Sequence, residues 1–198
     1  MSVTVEKCLQ AWTNSLRQLN AKADIVFLGD SLTYYGNFAS VFPGKVVCNL
    51  GLRGDTIEGM IDRVEQVRIL EPKQVFLMAG INDVAVCSSE RFKDLFRQLI
   101  CVVLEQNKNI ELIIQSLLPV NDKDFIISCG NNQIRTCNVI IKDIAEYYKL
   151  YYLDLFSLFE QNGLLAKSDT LDGIHLKDAA YNKWMGMLLQ NNVDNNLI

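Results

Sequence analysis

The chain has 198 residues and a net charge of −4, with 49% hydrophobic and 21% charged residues. These values fit a single domain over residues 1–198, and the acidic balance without a basic patch argues against nucleic acid as a partner. No apolar run reaches the roughly 18 residues of a membrane-spanning helix, and the N-terminus lacks the features of a secretory signal, so we expect a cytoplasmic protein without a membrane span.

Strands and helices are predicted to alternate along the chain. Apolar runs bounded by glycine, proline or polar residues predict five strands, at 24–28, 45–50, 74–79, 110–116 and 150–153. Helical spacing of apolar residues predicts helices at about 4–20, 32–41, 56–70, 88–106, 132–148 and 178–189. The first helix is expected to pack on a core that spans about residues 24–190. Five alternations of this kind predict a parallel sheet between two layers of helices.

The predicted carboxyl ends of the strands carry glycines and polar side chains. The first strand runs directly into G-D-S-L, which places Ser31 after a fully apolar stretch. The second strand is followed by Gly54 and the third by Asn82, and the segment after the fifth contains Asp172 and His175 in the sequence D-G-I-H. Because the carboxyl ends of parallel strands share one edge, where open α/β sheets bind ligands, we expect these five residues to lie together.

Together these residues provide the groups that acyl transfer requires. A serine nucleophile needs a base within hydrogen-bonding reach, and His175 is the only histidine in the chain. Asp172, three residues earlier, can accept a hydrogen bond from the imidazole and stabilise its protonated form. The backbone N–H groups of Ser31 and Gly54 and the side-chain amide of Asn82 can donate to the oxyanion of a tetrahedral intermediate.

Each of these residues also has a structural explanation when it is taken alone. Ser31 can cap a helix, Gly54 can serve a left-handed turn, and Asn82 can form a turn. A lone histidine is more often structural than catalytic. The alternative from another functional class is therefore a flavodoxin-like binding module without chemistry, and the presence of all five polar positions argues against it.

Other motifs are excluded by single residues. The nucleophile elbow G-x-S-x-G of α/β-hydrolases is absent, because Thr33 occupies the place of its second glycine. Gly54 and Gly59 have the spacing of a P-loop, but Met60 stands where that loop requires lysine. A zinc or other metal site is not expected, because the six cysteines form no C-x-x-C pair and only one histidine is present.

Four blocks of the sequence resemble those of the SGNH, or GDSL-type, hydrolases. The blocks are G-D-S-L at 29–32, N-L-G-L-R-G-D at 49–55, G-I-N-D at 80–83 and D-G-I-H-L at 172–176. The pattern is nearest to the group of platelet-activating-factor acetylhydrolase catalytic subunits and related bacterial lipase/acylhydrolases. The resemblance implies a three-layer α/β/α fold of flavodoxin type, with a five-stranded parallel sheet in the order 2-1-3-4-5.

The resemblance also implies roles for the residues at the motif positions. Ser31 would be the nucleophile, His175 the base and Asp172 its partner. The Ser31 amide, Gly54 and Asn82 would form the oxyanion hole. A substrate pocket is expected from residues that flank these motifs, namely Leu32, Tyr34, Leu52, Arg53 and Ile174. Arg53 could meet an anionic substrate or pair with a nearby carboxylate.

The implied activity is that of a serine esterase. It would hydrolyse carboxylic esters with short acyl groups, such as acetyl, through an acyl-serine intermediate, without a metal or an organic cofactor. Alternative substrates for the same mechanism are O-acetylated carbohydrates, including sialates, and lysophospholipids or thioesters. The expected partner is a small-molecule ester, and the family analogy favours a homodimer.

Overall fold

The structure is a computed structural model that describes residues 3–106 and 109–194. At its centre is a five-stranded parallel sheet with the strand order β2-β1-β3-β4-β5, which confirms the expected order. The strands are β1 (Ile25–Gly29), β2 (Val47–Gly51), β3 (Gln74–Met78), β4 (Glu111–Gln115) and β5 (Tyr151–Leu153). A small antiparallel sheet pairs β6 (Glu160–Gln161) with β7 (Leu164–Leu165).

Helices cover both faces of the sheet. They are α1 (Val3–Gln18), α2 (Ser31–Tyr34), α3 (Ile57–Asp62), α4 (Glu65–Leu70), α5 (Ser89–Gln106), α6 (Asn131–Tyr148), α7 (Leu155–Phe159) and α8 (Asp178–Asp194). A 3₁₀ helix at Phe38–Val41 lies between α2 and β2. Helix α5 contacts α3, α4 and α6, whereas α8 contacts the 3₁₀ helix and α7. Across the two described ranges, no helix combines the length and the apolar character needed to cross a membrane.

Strand β1 is an interior strand of the sheet, and all five of its residues are apolar or glycine and buried. It pairs with β2 on one side and with β3 on the other. The register places Gly29, the last residue of β1, beside Gly51 and Met78. The three turns that follow these strands therefore start at the same level of the sheet, and the side chains they carry meet at one edge.

The prediction of one helix over 56–70 is wrong. The segment forms α3 and α4, and the break falls at Arg63, whose φ of −113° and ψ of 11° are not helical. The side chain of Arg63 binds Asp55 and the carbonyl group of Gly29 in the interior. These tertiary contacts hold Arg63 outside a continuous helix.

The predicted helix over 32–41 is also divided, into α2 and the 3₁₀ helix. The side-chain amide of Asn49 on β2 donates to the carbonyl groups of Thr33 at 2.8 Å and Gly36 at 3.0 Å. A continuous helix would have used these carbonyl groups for its own backbone hydrogen bonds. Helix α2 therefore ends where Asn49 on β2 binds the backbone carbonyl groups that a longer helix would need.

A stack of aromatic side chains joins α8 to the sheet. The Phe27 ring lies between Phe38, with centroids 4.0 Å apart, and Phe76, at 4.7 Å. Trp184 on α8 meets Phe38 edge-on at 5.1 Å, and its indole N–H donates to the Gln115 side chain at 2.8 Å. Offset and edge-on aromatic pairs of this kind contribute about 0.5–1.5 kcal/mol each beyond their buried area. The stack fixes α8 directly after the segment that carries His175.

Candidate active site

Ser31, His175 and Asp172 form one hydrogen-bonded row at the carboxyl edge of the sheet. The Ser31 hydroxyl oxygen lies 3.0 Å from His175 Nε2, and His175 Nδ1 lies 2.6 Å from Asp172 Oδ2. Because an ionised carboxylate can only accept, Nδ1 carries the hydrogen of a neutral imidazole, and Nε2 can then accept from the Ser31 hydroxyl. Ser31 is 8% exposed and the His175 side chain 30% exposed, so the row is shielded but reachable from solvent.

Asp30 places Ser31 at the start of α2. Its Oδ1 accepts a hydrogen bond from the Leu32 backbone N–H at 2.9 Å, which is the contact of a helix N-cap. The hydroxyl of Tyr181 on α8 donates to the Leu32 carbonyl at 2.7 Å. The capping role that the sequence allowed for Ser31 is thus taken by Asp30, and the Ser31 hydroxyl is left to the imidazole.

A tightly bonded loop presents Asp172 and His175. The Thr170 hydroxyl donates to the His175 carbonyl at 2.9 Å and accepts from the Gly173 N–H at 2.8 Å. Gly173 has a φ of +94°, a conformation that favours glycine, and a Cβ there would lie 2.8 Å from the side chain of Phe125. The loop therefore cannot accept a larger residue at this position without moving the two polar side chains.

The Asp172 carboxylate accepts three hydrogen bonds from its own loop. Oδ1 accepts from the backbone N–H groups of Ile174 at 3.0 Å and His175 at 2.8 Å, and Oδ2 accepts from the His175 ring. Burial raises the pKa of Asp172, but these hydrogen bonds together lower it more, so that its pKa lies below the ordinary value. Asp172 is therefore ionised at neutral pH.

Gly54 and Asn82 are brought together by the turns after β2 and β3. The Leu52 N–H donates to the Gly29 carbonyl at 3.0 Å, which ties the first of these turns to the end of β1. Asn82 Nδ2 donates to the Asp55 carbonyl at 2.8 Å, and its second N–H stays available for another acceptor. Gly54 has a φ of +71°, and a Cβ there would meet no atom within 4 Å. Glycine is thus favoured at position 54 by its backbone conformation, and the space beside it is open.

Beneath Gly54, a buried ion pair joins the turn after β2 to the end of β1. Arg63 Nε and Nη2 bind Asp55 Oδ2 at 2.8 and 2.7 Å, and Nη2 also donates to the Gly29 carbonyl at 3.1 Å. The side chains of Arg63 and Asp55 are only 2% and 4% exposed. Burial raises the pKa of Asp55 and lowers that of Arg63, and their mutual contact opposes both shifts. The pair fixes the position of Gly54 relative to the strand that leads to Ser31.

Two further carboxyl groups are buried close to this ion pair. Burial raises the pKa of Asp30 to about 7, against the hydrogen bond from Leu32, and the nearby Asp55 and Asp83 add to the rise. Burial likewise raises the pKa of Asp83 to about 6, although its Oδ2 accepts from the Ile57 N–H at 3.2 Å. Within the described ranges Asp30 Oδ2 meets no hydrogen-bond partner. A neutral carboxyl group is consequently favoured at Asp30 below neutral pH.

The predicted pocket residues differ in their access to solvent. Leu32 is 1% exposed and belongs to the hydrophobic core, so it offers no surface to a ligand. The others are exposed or half-buried, namely Tyr34, Leu52, Arg53 and Ile174. Tyr35, next to Tyr34, stands perpendicular to the His175 imidazole with ring centroids 5.9 Å apart. The wall nearest to the imidazole is therefore aromatic.

Arg63 and Thr170 help to shape the site and were not predicted. Arg63 had a recognisable signal, because it lies at helical spacing from Met60 and Val67 and therefore falls on the apolar side of the predicted helix. A charged residue on such a face needs a buried partner. No pattern in the sequence distinguishes Thr170 from other polar loop residues.

Solved structures share this fold at low sequence identity. A protein from Streptococcus pneumonia, described provisionally as platelet activating factor, superposes with a TM-score of 0.79 at 22% identity, over 96% of this chain and 99% of that one. A GDSL-like lipase from Bacteroides thetaiotaomicron gives 0.72 at 22% identity, over 95% and 97% of the two chains. The acetyl xylan esterase AlAXEase gives 0.72 at 19% identity, over 84% and 98%. At these identities the similarity establishes the fold.

The sequence itself matches a known family over most of its length. The profile of the GDSL-like lipase/acylhydrolase family matches residues 27–183, a range that runs from β1 into α8 and includes the Ser31–His175–Asp172 row. No curated protein sequence matches the chain significantly. The chain therefore belongs to the GDSL-like lipase/acylhydrolase family of ester hydrolases.

Proposed function

We propose that this chain is a serine esterase in which Ser31 attacks the ester carbonyl. The observation that carries the proposal is the row of two hydrogen bonds, 3.0 Å between Ser31 and His175 and 2.6 Å between His175 and Asp172. A hydroxyl that donates to an imidazole can lose its proton to that ring as it attacks. Membership of a family of ester hydrolases supports acyl transfer as the reaction.

In the proposed reaction, Ser31 Oγ bonds to the acyl carbon while its proton passes to His175 Nε2. The charge on the carbonyl oxygen is stabilised by the N–H groups of Ser31 and Gly54 and by the side-chain amide of Asn82. As the bond to the alcohol oxygen breaks, His175 gives its proton to that oxygen and an acyl-serine remains. Water then attacks the acyl-serine through the same two proton transfers and releases the acid.

Asp172 is proposed to act through His175, without contacting the substrate. Its lowered pKa keeps the carboxylate ionised at neutral pH, which stabilises the imidazolium formed during attack. Its contact with Nδ1 also directs the free lone pair of the ring to the serine.

We propose short acyl groups, such as acetyl, as the acyl part of the substrate. Support comes from the secondary structure of the described residues, 3–106 and 109–194, among which no separate lid domain covers the site. An O-acetylated carbohydrate is the second candidate, and the common fold with the acetyl xylan esterase AlAXEase is compatible with it. A panel of p-nitrophenyl esters of increasing acyl length, acetylated xylan, acetylated sialate and a lysophospholipid would separate these substrates.

The mechanism is tested by labelling with a fluorophosphonate probe, which reacts with activated serines. We expect labelling of the wild type and of Ser15→Ala, a control at an exposed serine on α1, and no labelling of Ser31→Ala. Circular dichroism and thermal denaturation should show that Ser31→Ala keeps the fold. Ester hydrolysis by Ser31→Ala at the wild-type rate would refute the proposed nucleophile.

A further inference from the structure

Arg53 is a cation beside the candidate site that no carboxylate neutralises. The other arginines at the surface or in the core mostly bind a carboxylate, as Arg17, Arg63, Arg68, Arg91 and Arg135 do. In the part of the chain that the structure describes, Arg53 and Arg97 form no ion pair, and each lies over a tyrosine ring instead. Arg53 is exposed, so its charge is available to a ligand.

The position of Arg53 relates it directly to the reacting groups. It immediately precedes Gly54, whose N–H is proposed to bind the oxyanion. Its Cζ lies 5.8 Å from the centroid of the Tyr35 ring, and that ring stands 5.9 Å from the His175 ring at 90°. One aromatic ring, that of Tyr35, therefore contacts both the guanidinium group and the imidazole.

The contact with Tyr35 leaves the N–H groups of Arg53 without a carboxylate partner among the described residues. A cation over an aromatic ring is attracted by the ring itself and needs no acceptor oxygen for this contact. The N–H groups of the guanidinium group point outward in its plane, and they match the two oxygens of a carboxylate or a phosphate group. The ring also limits the freedom of the arginine side chain, which reduces the entropy lost when an anion binds.

The proposed reaction decides which part of the substrate meets Arg53. His175 must protonate the alcohol oxygen, so the alcohol part leaves past the imidazole, where Tyr35 forms the wall. The carbonyl oxygen is directed toward Gly54 and Asn82. An anionic substituent on the alcohol part would lie on the side of Tyr35, where Arg53 is the nearby cation.

We propose that the enzyme prefers esters whose alcohol part carries an anionic group, which Arg53 binds beside the Tyr35 ring. The inference rests on the serine-esterase function proposed above and adds the class of substrate. Because the whole chain is acidic, with a net charge of −4, such a preference requires a local cation and does not follow from the overall charge.

The test compares 4-acetoxybenzoate with its neutral methyl ester, which differ in the charge at the far end of the leaving group. Each kcat/KM is divided by the rate constant of hydroxide-catalysed hydrolysis, which corrects for the different acidity of the two phenols. For the wild type we expect a higher corrected kcat/KM for the anion, and for Arg53→Gln a loss of about fivefold on the anion, which is the upper end of the contribution of an exposed ion pair. On the neutral ester the loss should be smaller, so that the ratio of the kcat/KM values for the two esters falls in this variant. Arg53→Lys should keep part of the preference, and salt should weaken the preference in the wild type and in Arg53→Lys but have no effect on it in Arg53→Gln.

Arg97→Gln is the matched control, because Arg97 lies over the Tyr147 ring at the same 5.8 Å but on α5, away from the row. It should leave both substrates unaffected. Equal losses of kcat/KM on both esters in Arg53→Gln would overturn the inference. A second comparison places the anion on the acyl part, with monophenyl succinate against phenyl butyrate. A wild-type preference for the anion in this second pair and not in the first would also overturn the inference. If the wild type hydrolyses none of these esters and Ser31 is not labelled, the serine-esterase function itself fails, and the inference fails with it.

Discussion

His175 meets three groups, and each constrains a different side of the ring. Ser31 lies at Nε2 and Asp172 at Nδ1, and the Tyr35 ring stands perpendicular to the imidazole. A ring bounded in this way has little freedom to rotate away from the serine. Reacting groups that are held in position before the substrate arrives lower the entropic part of the barrier.

We predict that Asp172→Asn lowers kcat by roughly two to four orders of magnitude, because an amide cannot stabilise the imidazolium and can turn an N–H toward Nδ1. Its oxygen can still accept from the backbone of Ile174 and His175, so the unfolding temperature should stay close to that of the wild type. Steady-state kinetics and thermal denaturation check both statements. Asp154→Asn is the control, because Asp154 accepts a similar backbone hydrogen bond, from Ser157, without a histidine. Unchanged kcat in Asp172→Asn would contradict the role given to the carboxylate.

Asn82→Ala should reduce kcat by about 100-fold to 1000-fold and change KM little, because the lost hydrogen bond forms mainly in the transition state. The measurement is a full Michaelis–Menten analysis on one p-nitrophenyl ester. Asn132→Ala, at an exposed asparagine on α6, should behave as the wild type does. A rise in KM with kcat unchanged would make Asn82 a residue for substrate binding alone.

Among the elements, the break between α3 and α4 matters most, because it carries the ion pair under Gly54. Arg63 contacts Asp55, the Gly29 carbonyl and the Gln66 side chain at once. These partners come from the turn after β2, from β1 and from α4. One buried side chain therefore joins the strand that precedes Ser31 to the turn that presents Gly54.

Arg63→Met should lower the free energy of unfolding by about 3–5 kcal/mol, because it leaves the Asp55 carboxylate buried without its partner. The second change, Asp55→Asn in the Arg63→Met background, should restore part of the loss. Arg68→Met breaks an exposed pair with Glu65 and should cost less than about 1 kcal/mol. Urea denaturation of the four proteins checks the comparison, and a loss as small as that of Arg68→Met would show that the buried pair does not stabilise the fold.

Helices and strands could be predicted from the sequence where the local pattern of apolar residues determines them. They could not be predicted where tertiary contacts determine where an element ends. The five apolar runs predicted the strands, since burial on both faces requires continuous apolar residues. The break at Arg63 was missed because its cause is Asp55 and Gly29, which lie outside the helix. The β6–β7 hairpin had a local signal that was overlooked, for Asn162-Gly163 is an Asn-Gly turn with φ of +52° and +86°. Two-residue strands show no periodicity that would have drawn attention to it.

The same distinction holds for the candidate site. Ser31, Asp172 and His175 were placed together in advance, because the edge of a parallel sheet collects the turns that carry them. Leu32 was expected to line the pocket from its neighbourhood in sequence, but its side chain points into the core. Sequence adjacency places a residue near a site, and only packing decides which way it faces.

At the scale of the whole molecule, buried carboxyl groups should make stability depend on pH. Asp30 has a pKa of about 7 in the folded chain, against an ordinary value of 3.8. The folded chain therefore binds this proton more tightly than the unfolded chain does, and protonation favours folding. The contribution is complete below about pH 4 and is lost as the pH rises to about 7. Asp83, with a pKa of about 6, acts in the same direction over a narrower range.

We predict that Asp30→Asn is increasingly stable relative to the wild type as the pH rises from about 4 to about 7, by at most about 1.4 kcal/mol per pH unit for one proton. The asparagine oxygen can still accept the hydrogen bond from the Leu32 N–H, so the turn should be kept. Urea denaturation of both proteins at about pH 4, 6 and 8 measures the difference. A difference that stays constant across this range would show that Asp30 does not titrate as described.

His175 is the only histidine of the chain, and this has a practical consequence for spectroscopy. The imidazole region of an NMR spectrum will contain one set of signals, which needs no assignment by mutagenesis. His175 Nδ1 lies 2.6 Å from Asp172 Oδ2. The proton on Nδ1 should therefore resonate far downfield if it exchanges slowly enough to be seen. The same signals should respond when Ser31 is acylated or replaced. The His175 signals can therefore report directly on the state of the candidate active site.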